Sequence, residues 1–220
     1  MSFTLYNYVL SGNCYKIRLF ASLIGVDYQT VNVDFFPGMA HKSEEMLAIN
    51  PAGTLPVLTT EDQVLTQTAA MLVWMAAQFD TGGTWYPTQD PDQLAQINEW
   101  LSFSGTLTAT SGEARLHAII DKPLNMETAL AGAKDAFRQL ELRLCDQRFA
   151  GSSWLVGDTP TIADIACFPY VALSRDAGLE HDPYPAIRAW LYAVRSLPGF
   201  KTMPGIHELH ELKDGETIHG

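Results

Sequence analysis

The sequence predicts an α/β domain over residues 1–80, a linker over 81–90 and an all-α domain over 91–220. Three observations carry this reading. Apolar residues recur with a period near two in several short early segments, and at helical spacing between and after them. From Asp80 to Pro91 the composition shifts to Gly, Thr, Pro and Asp, the residues of turns and linkers. Apolar residues make up 47% of the chain and charged ones 18%, so both parts can bury a core and disorder is not expected.

Phe3 to Val9 alternates aromatic and aliphatic residues and reads as a strand. Residues 11–14, SGNC, form a turn. Ile17, Phe20, Ala21 and Ile24 lie at helical spacing over 15–24, and Gly25 closes that helix. Tyr28 to Val33 reads as a second strand, and 41–49 as a short helix stopped by Asn50-Pro51. A hairpin over 57–65 follows, with Glu61-Asp62-Gln63 at its tip. The apolar run Ala69 to Ala77 then marks a helix over 67–79. The order βαβ, then αββα, is that of the thioredoxin-like arrangement, a mixed four-stranded sheet with helices on its faces. Beyond the linker, helices are predicted over 91–116, 126–149, 161–177 and 184–197. Thr161 and Asp164 form a capping box before the third of these.

The formal net charge of -11 argues against nucleic acid or an anionic membrane as partner, since both select clustered Lys and Arg. Three widely spaced cysteines, Cys14, Cys145 and Cys167, give no disulfide framework and no paired metal spacing. The start of the chain has no basic segment of a secretory signal, and the apolar run 69–77 is too short to span a bilayer. A cytoplasmic protein is therefore expected. His207 and His210, with Glu208 and Glu211, stand at i, i+3 spacing but do not match H-E-x-x-H, so no metal site is expected.

The stretch Asn50 to Thr68 carries the functional reading. Pro56 donates no ladder hydrogen bond at the start of its strand. A cis Leu55-Pro56 bond would leave Leu55 to offer N–H and C=O to an extended peptide. Free N–H groups at the helix start near Gln67-Thr68 favour a carboxylate. Together they suit a short acidic peptide.

At these residues the chain resembles the glutathione S-transferase family, in its bacterial theta-like or beta-like cytosolic branches, and the resemblance covers nearly the whole sequence. It implies that Leu55, before Pro56, pairs with the cysteinyl backbone of glutathione, and that Gln67 and Thr68 hold the γ-glutamyl end. His41 and Lys42 fall where the family meets the glycyl carboxylate. Thr54 stands where many relatives have Lys, Arg or Gln, a departure that weakens one glycyl contact. The resemblance also implies a homodimer and a second, small hydrophobic electrophile bound between the domains. Leu10, Phe35, Phe36, Trp100, Phe103, Ser104 and Ser111 are candidates to line that cleft, and Arg115 reads either as a further anion contact or as a surface ion pair.

Such an enzyme must make a thiolate. A free thiol has a pKa of about 8.5, so lowering it by two units takes about 2.7 kcal/mol of preferential stabilisation of the anion. A hydroxyl or amide beside a helix N-terminus supplies such stabilisation. Ser11 and Asn13 are the candidate catalytic donors, Ser11 by its likeness to the theta-like serine. Cys14 matches the beta-branch cysteine, but Ala109 and Thr110 fall where that branch carries its His and Lys. Tyr6, within the first strand, reads as packing. The expected function is a detoxifying transferase that conjugates glutathione to small hydrophobic electrophiles. Alternatives on the same site are glutathione-dependent isomerisation, disulfide reduction or peroxidase activity, and a non-catalytic glutathione-binding module.

Overall fold

The computed structural model describes residues 2–206. Alternation in the first segment gives β1 (Thr4–Asn7), with Leu5 and Asn7 buried. Helix α1 is Gly12–Leu23, capped by Ser11, so it begins three residues earlier than expected: Gly12, Asn13 and Cys14 of the expected SGNC turn are its first turn, and Gly25 follows its end with φ +66°. Strand β2 is Gln29–Asn32. The short helix predicted over 41–49 divides into a 3-10 turn (Ala40–Lys42) and α2 (Glu44–Ile49). Ser43 makes the division: it adopts extended backbone, and its Oγ accepts the Met46 N–H at 3.3 Å as the cap of α2. The hairpin is β3 (Val57–Thr59) and β4 (Val64–Leu65), and α3 is Thr68–Phe79.

Strand order in the four-stranded sheet is β2-β1-β3-β4. β1 runs parallel to β2 and antiparallel to β3, which runs antiparallel to β4. The pairings Asn7↔Asn32, Tyr6↔Val57 and Leu58↔Leu65 bring four chain segments to one end of the sheet. These are the exits of β1, β2 and β4 and the entry to β3. Continuing the registers, Leu55 lies across from Tyr8 and Gln67 across from Pro56.

The helices that follow are α4 (Pro91–Leu107), α5 (Glu113–Ile120), α6 (Met126–Phe149), α7 (Ile162–Ala172) and α8 (Pro185–Arg195). The single helix expected over 91–116 is interrupted by a π turn, Thr108–Gly112. Thr108 and Thr110 donate their hydroxyls to the carbonyls of Ser104 and Thr106 at 2.9 and 2.7 Å, back-bonding that bends helices. The helix expected over 161–177 likewise ends at Ala172, and a 3-10 turn (Ser174–Ala177) follows.

Helix α7 is buried at every residue, as a helix apolar all round should be. It packs against α1, α3, α4 and α8, so one core runs from Leu5 and Phe20 through Trp100 to Phe168 and Trp190. The capping box is formed: Thr161 Oγ accepts the Ala163 N–H, and the Asp164 carboxylate accepts the Thr161 N–H at 2.9 Å.

Lys16 on α1 faces this seam and is only 1% exposed, with its ammonium 5.1 Å from the Tyr170 ring centroid. Burial pushes its pKa down to about 8. The charged form is thus the disfavoured one in the fold. Its stabilising contribution is complete only above the unfolded pKa of about 10.4, and is lost as pH falls through 8. Lys16→Met is expected to raise Tm by about 5 °C at pH 7. The gain should shrink above pH 8 and vanish near pH 10.5. Thermal melts across that range check it; an undiminished gain at high pH would assign the effect to packing instead.

Candidate active site

The shared end of the sheet gathers Ser11 and Asn13 from the first turn, His41 and Lys42 from the segment after β2, Thr54, Leu55 and Pro56 before β3, and Gln67 and Thr68 after β4. Each arrives by a different local device.

Ser11 is the N-cap of α1, with φ -76° and ψ 121°, and its Oγ accepts the Cys14 N–H at 3.2 Å. That uses one lone pair. The hydroxyl proton has no acceptor among the described residues. Asn13 is half-buried; its backbone N–H donates to the Tyr170 hydroxyl at 3.2 Å, and its side-chain amide is unpartnered among the described residues. Cys14 is fully buried, and its sulfur accepts the Tyr8 N–H at 3.4 Å. Burial pushes its thiol pKa up, the opposite of what a reactive thiolate needs. Tyr8 is half-buried at the mouth of the turn, and burial followed by the charge of Asp34 raises its phenol, so it is no phenolate either.

His41 departs from the cationic role expected of it. Its ring stacks on Phe35 at 4.0 Å, Phe35 stacks on Tyr8 at 5.2 Å, and the imidazole is 3% exposed. Burial, then the neighbouring Lys42 charge, lowers its pKa, so the ring is neutral at pH 7. Its Nδ1 is buried without a hydrogen-bond partner among the described residues, an uncommon state for a polar atom. Lys42 keeps the cationic role. It is exposed, and its ammonium reaches across the Asn50–Thr54 turn to the Ala52 carbonyl at 3.2 Å. Gly53, at φ +55°, makes room: a Cβ there would lie 2.7 Å from Lys42 Nζ.

Asn50, read at first only as a helix stop, organises this turn. Its buried amide donates to the Thr54 carbonyl at 2.9 Å and to Thr54 Oγ1 at 3.1 Å, and its oxygen accepts the Ala52 N–H. Thr54 is therefore a structural partner of Asn50 as well as a rim residue. An Asn one residue before Pro is the only sequence signal of this role.

The Leu55-Pro56 peptide bond is cis. Neither the N–H nor the C=O of Leu55 has a hydrogen-bond partner among the described residues. Gln67 is the N-cap of α3 but makes no capping bond with its side chain, so the first N–H groups of α3 stay open. Gln67 is exposed and Thr68 half-buried.

Several cleft residues lie elsewhere than expected. Trp100, Ser104 and Ser111 are buried; the Ser104 hydroxyl donates to the Leu101 carbonyl and that of Ser111 to the Tyr170 carbonyl. Phe103 packs edge-on against Trp100. Arg115 is no surface ion pair: it is 2% exposed and paired with Asp176 at 2.7 Å. Of the remaining apolar candidates, Val9 and Leu10 precede Ser11 in the chain, exposed and half-buried respectively; Phe35 is half-buried against Tyr8 and Phe36 is exposed.

Family models for the N-terminal and C-terminal domains of glutathione S-transferases match residues 10–78 and 114–192. The chain belongs to the glutathione S-transferase family. Glutathione S-transferase theta-1 of Bos taurus is 26% identical over 219 residues, covering 95% of this chain and 89% of its own. A maleylpyruvate isomerase of Ralstonia sp is 28% identical over 203 residues, 90% of this chain and 94% of its own. The crystal structure of a possible glutathione S-transferase from Rhodopseudomonas palustris superposes with a TM-score of 0.81 at 27% identity, over 92% of this chain and 90% of that one. This family's thioredoxin-like first domain and helical second domain are those described above.

Among the described residues no group of three or more metal-type side chains converges, and no helix is long and apolar enough to cross a membrane. His207 and His210 lie outside the described residues.

Proposed function

We propose that this protein is a glutathione transferase, binding glutathione across the sheet end and presenting its sulfur to Ser11. The observation that carries the reading is a set of unsatisfied polar groups converging there. Leu55 offers a free N–H and C=O, as pairing with an extended peptide requires. The open N-terminus of α3, at Gln67-Thr68, suits the α-carboxylate of the γ-glutamyl end. The Lys42 ammonium, with the rim at Thr54, suits the glycyl carboxylate, and His41 supports that segment from beneath through its stack on Phe35. The remaining hydroxyl proton of Ser11, at the positive end of α1, suits an anionic sulfur.

With the thiol deprotonated, the sulfur attacks an electrophilic carbon, a new C–S bond forms, and a group such as chloride leaves with the electron pair. Val9 and Leu10, next to Ser11 in the chain, and Phe35 and Phe36 after β2 are apolar side chains at least partly open to solvent, which favours small hydrophobic electrophiles. Likeness to a maleylpyruvate isomerase supports a second reading, in which the same thiolate adds reversibly to a double bond and leaves again. Turnover of maleylpyruvate without net consumption of glutathione would select it.

The binding claim is tested by retention on immobilised glutathione and by a thermal shift with millimolar glutathione; absence of both overturns it. Gln67→Ala is expected to raise KM for glutathione about tenfold with kcat little changed, since it removes binding made equally in ground and transition states. A KM within twofold of the parent would count against Gln67 in this role.

A further inference from the structure

The SGNC turn is gripped at both ends by the helical domain. On one side, Arg115 of α5 donates from Nη1 to the Leu10 carbonyl at 2.5 Å. The same guanidinium is anchored through Nε to Asp176 at 2.7 Å and through Nη2 to the Pro204 carbonyl at 3.4 Å. On the other side, the Tyr170 hydroxyl of α7 accepts the Asn13 N–H at 3.2 Å. Ser11 and Gly12 lie between these two fixed points.

Tyr170 has little freedom. A Cβ added to Gly12 would fall 2.6 Å from the ring's Cε1, and one added to Gly112 would fall 2.9 Å from the same atom. The ring thus occupies space that only glycine leaves at both positions, one from each domain. The Ser111 hydroxyl fixes the Tyr170 backbone through its carbonyl at 2.5 Å. Burial keeps the phenol protonated.

The first N–H groups of α1 have separate partners: Cys14 N–H goes to Ser11 Oγ and Asn13 N–H to Tyr170. Had Asn13 N–H been free, the Ser11 oxygen would face two competing donors, and the turn could relax toward either. We infer that Tyr170 and Arg115 are positioning residues, holding the turn so that the Ser11 hydroxyl, capped on its acceptor side, directs its proton at the glutathione sulfur. This rests on the assignment of Ser11 as the sulfur's donor. The helical domain then does more than shape a cleft; it sets the geometry of a donor that lies in the other domain. A donor has to be held to within about 0.5 Å to act in the transition state.

Tyr170→Phe tests this, because it keeps the ring between the two glycines and removes only the oxygen. The readout is the thiolate absorbance of bound glutathione against pH. The apparent pKa of the bound thiol is expected to rise by about one unit, with kcat down about tenfold and KM for glutathione within twofold. In a Ser11→Ala background Tyr170→Phe should add no further shift, since both act through one hydroxyl. Arg115→Lys keeps the charge but cannot hold Leu10 and Asp176 in one plane; it should move the same pKa in the same direction. A lower Tm with the pKa at the parent value in both variants reduces the two residues to scaffolding and overturns the inference. A fully additive shift in the double variant does so as well, by showing that Tyr170 acts on the sulfur without Ser11. If Ser11→Ala alone leaves the pKa unmoved, the donor assignment itself falls, and the inference falls with it.

Discussion

Asp164→Ala is expected to destabilise the fold by about 4 kcal/mol. The carboxylate is fully buried and serves four donors. It accepts the Leu155 N–H at 3.0 Å, the Thr161 N–H at 2.9 Å, the Thr161 hydroxyl at 3.3 Å and the Trp190 indole N–H at 2.9 Å. Alanine removes the acceptor and leaves three N–H groups buried, each costing about 1–3 kcal/mol where nothing replaces the carboxylate. The total falls below the simple sum because water can enter the space vacated. The damage reaches the site, because α7 is the helix against which α1 packs and from which Tyr170 projects. Urea unfolding measures it as a shifted midpoint at unchanged slope. A loss below about 1 kcal/mol would mean that the three donors find other partners.

That network was legible because its core is local. Thr161-x-x-Asp164 is a spacing, and the capping geometry follows from it. The order of strands and helices was legible for a similar reason, since period two and period 3.6 are written along the chain. The gathering of Ser11, His41, Leu55 and Gln67 at one sheet end required the strand order, which no local pattern encodes. The sequence reading joined Leu55 to Gln67-Thr68 through backbone chemistry and the other groups through family resemblance, and the registers give the gathering its physical basis.

What stayed hidden depends on contacts far apart in sequence. The helical spacing over 15–24 says nothing of Lys16, which α7 covers, its ammonium lying over the Tyr170 ring. His41 next to Lys42 reads as a basic pair; a Phe six residues upstream stacks on the imidazole and buries it. Ser104 and Ser111 read as cleft polar groups, but their hydroxyls are satisfied inside the core. The π turn has no Pro to announce it, and Gly112 at its end makes sense only once the Tyr170 ring is seen against it.

Ser11→Ala is expected to lower kcat between tenfold and a hundredfold with a chloronitrobenzene-type electrophile, by loss of a hydrogen bond to an anion. KM for glutathione should stay within about twofold, because the backbone groups of Leu55, the α3 N-terminus and Lys42 are untouched. The kcat profile should move to higher pH as the bound thiol becomes harder to ionise. Ser11 also caps α1, and an alanine there costs about 1 kcal/mol of stability through the unpaired Cys14 N–H. Ser11→Gly separates the two roles. Glycine is tolerated as a cap at a cost of a few tenths of a kcal/mol, yet it donates nothing, so it should lose as much kcat as alanine while melting close to the parent. Ser11→Thr keeps both functions of the hydroxyl and should recover most of the rate. Cys14→Ala should retain most activity, since that thiol is fully buried and its pKa is pushed up rather than down. If Ser11→Ala and Ser11→Gly both turn over at the parent rate, the donor is instead the unpartnered side-chain amide of Asn13, which shares the same helix turn.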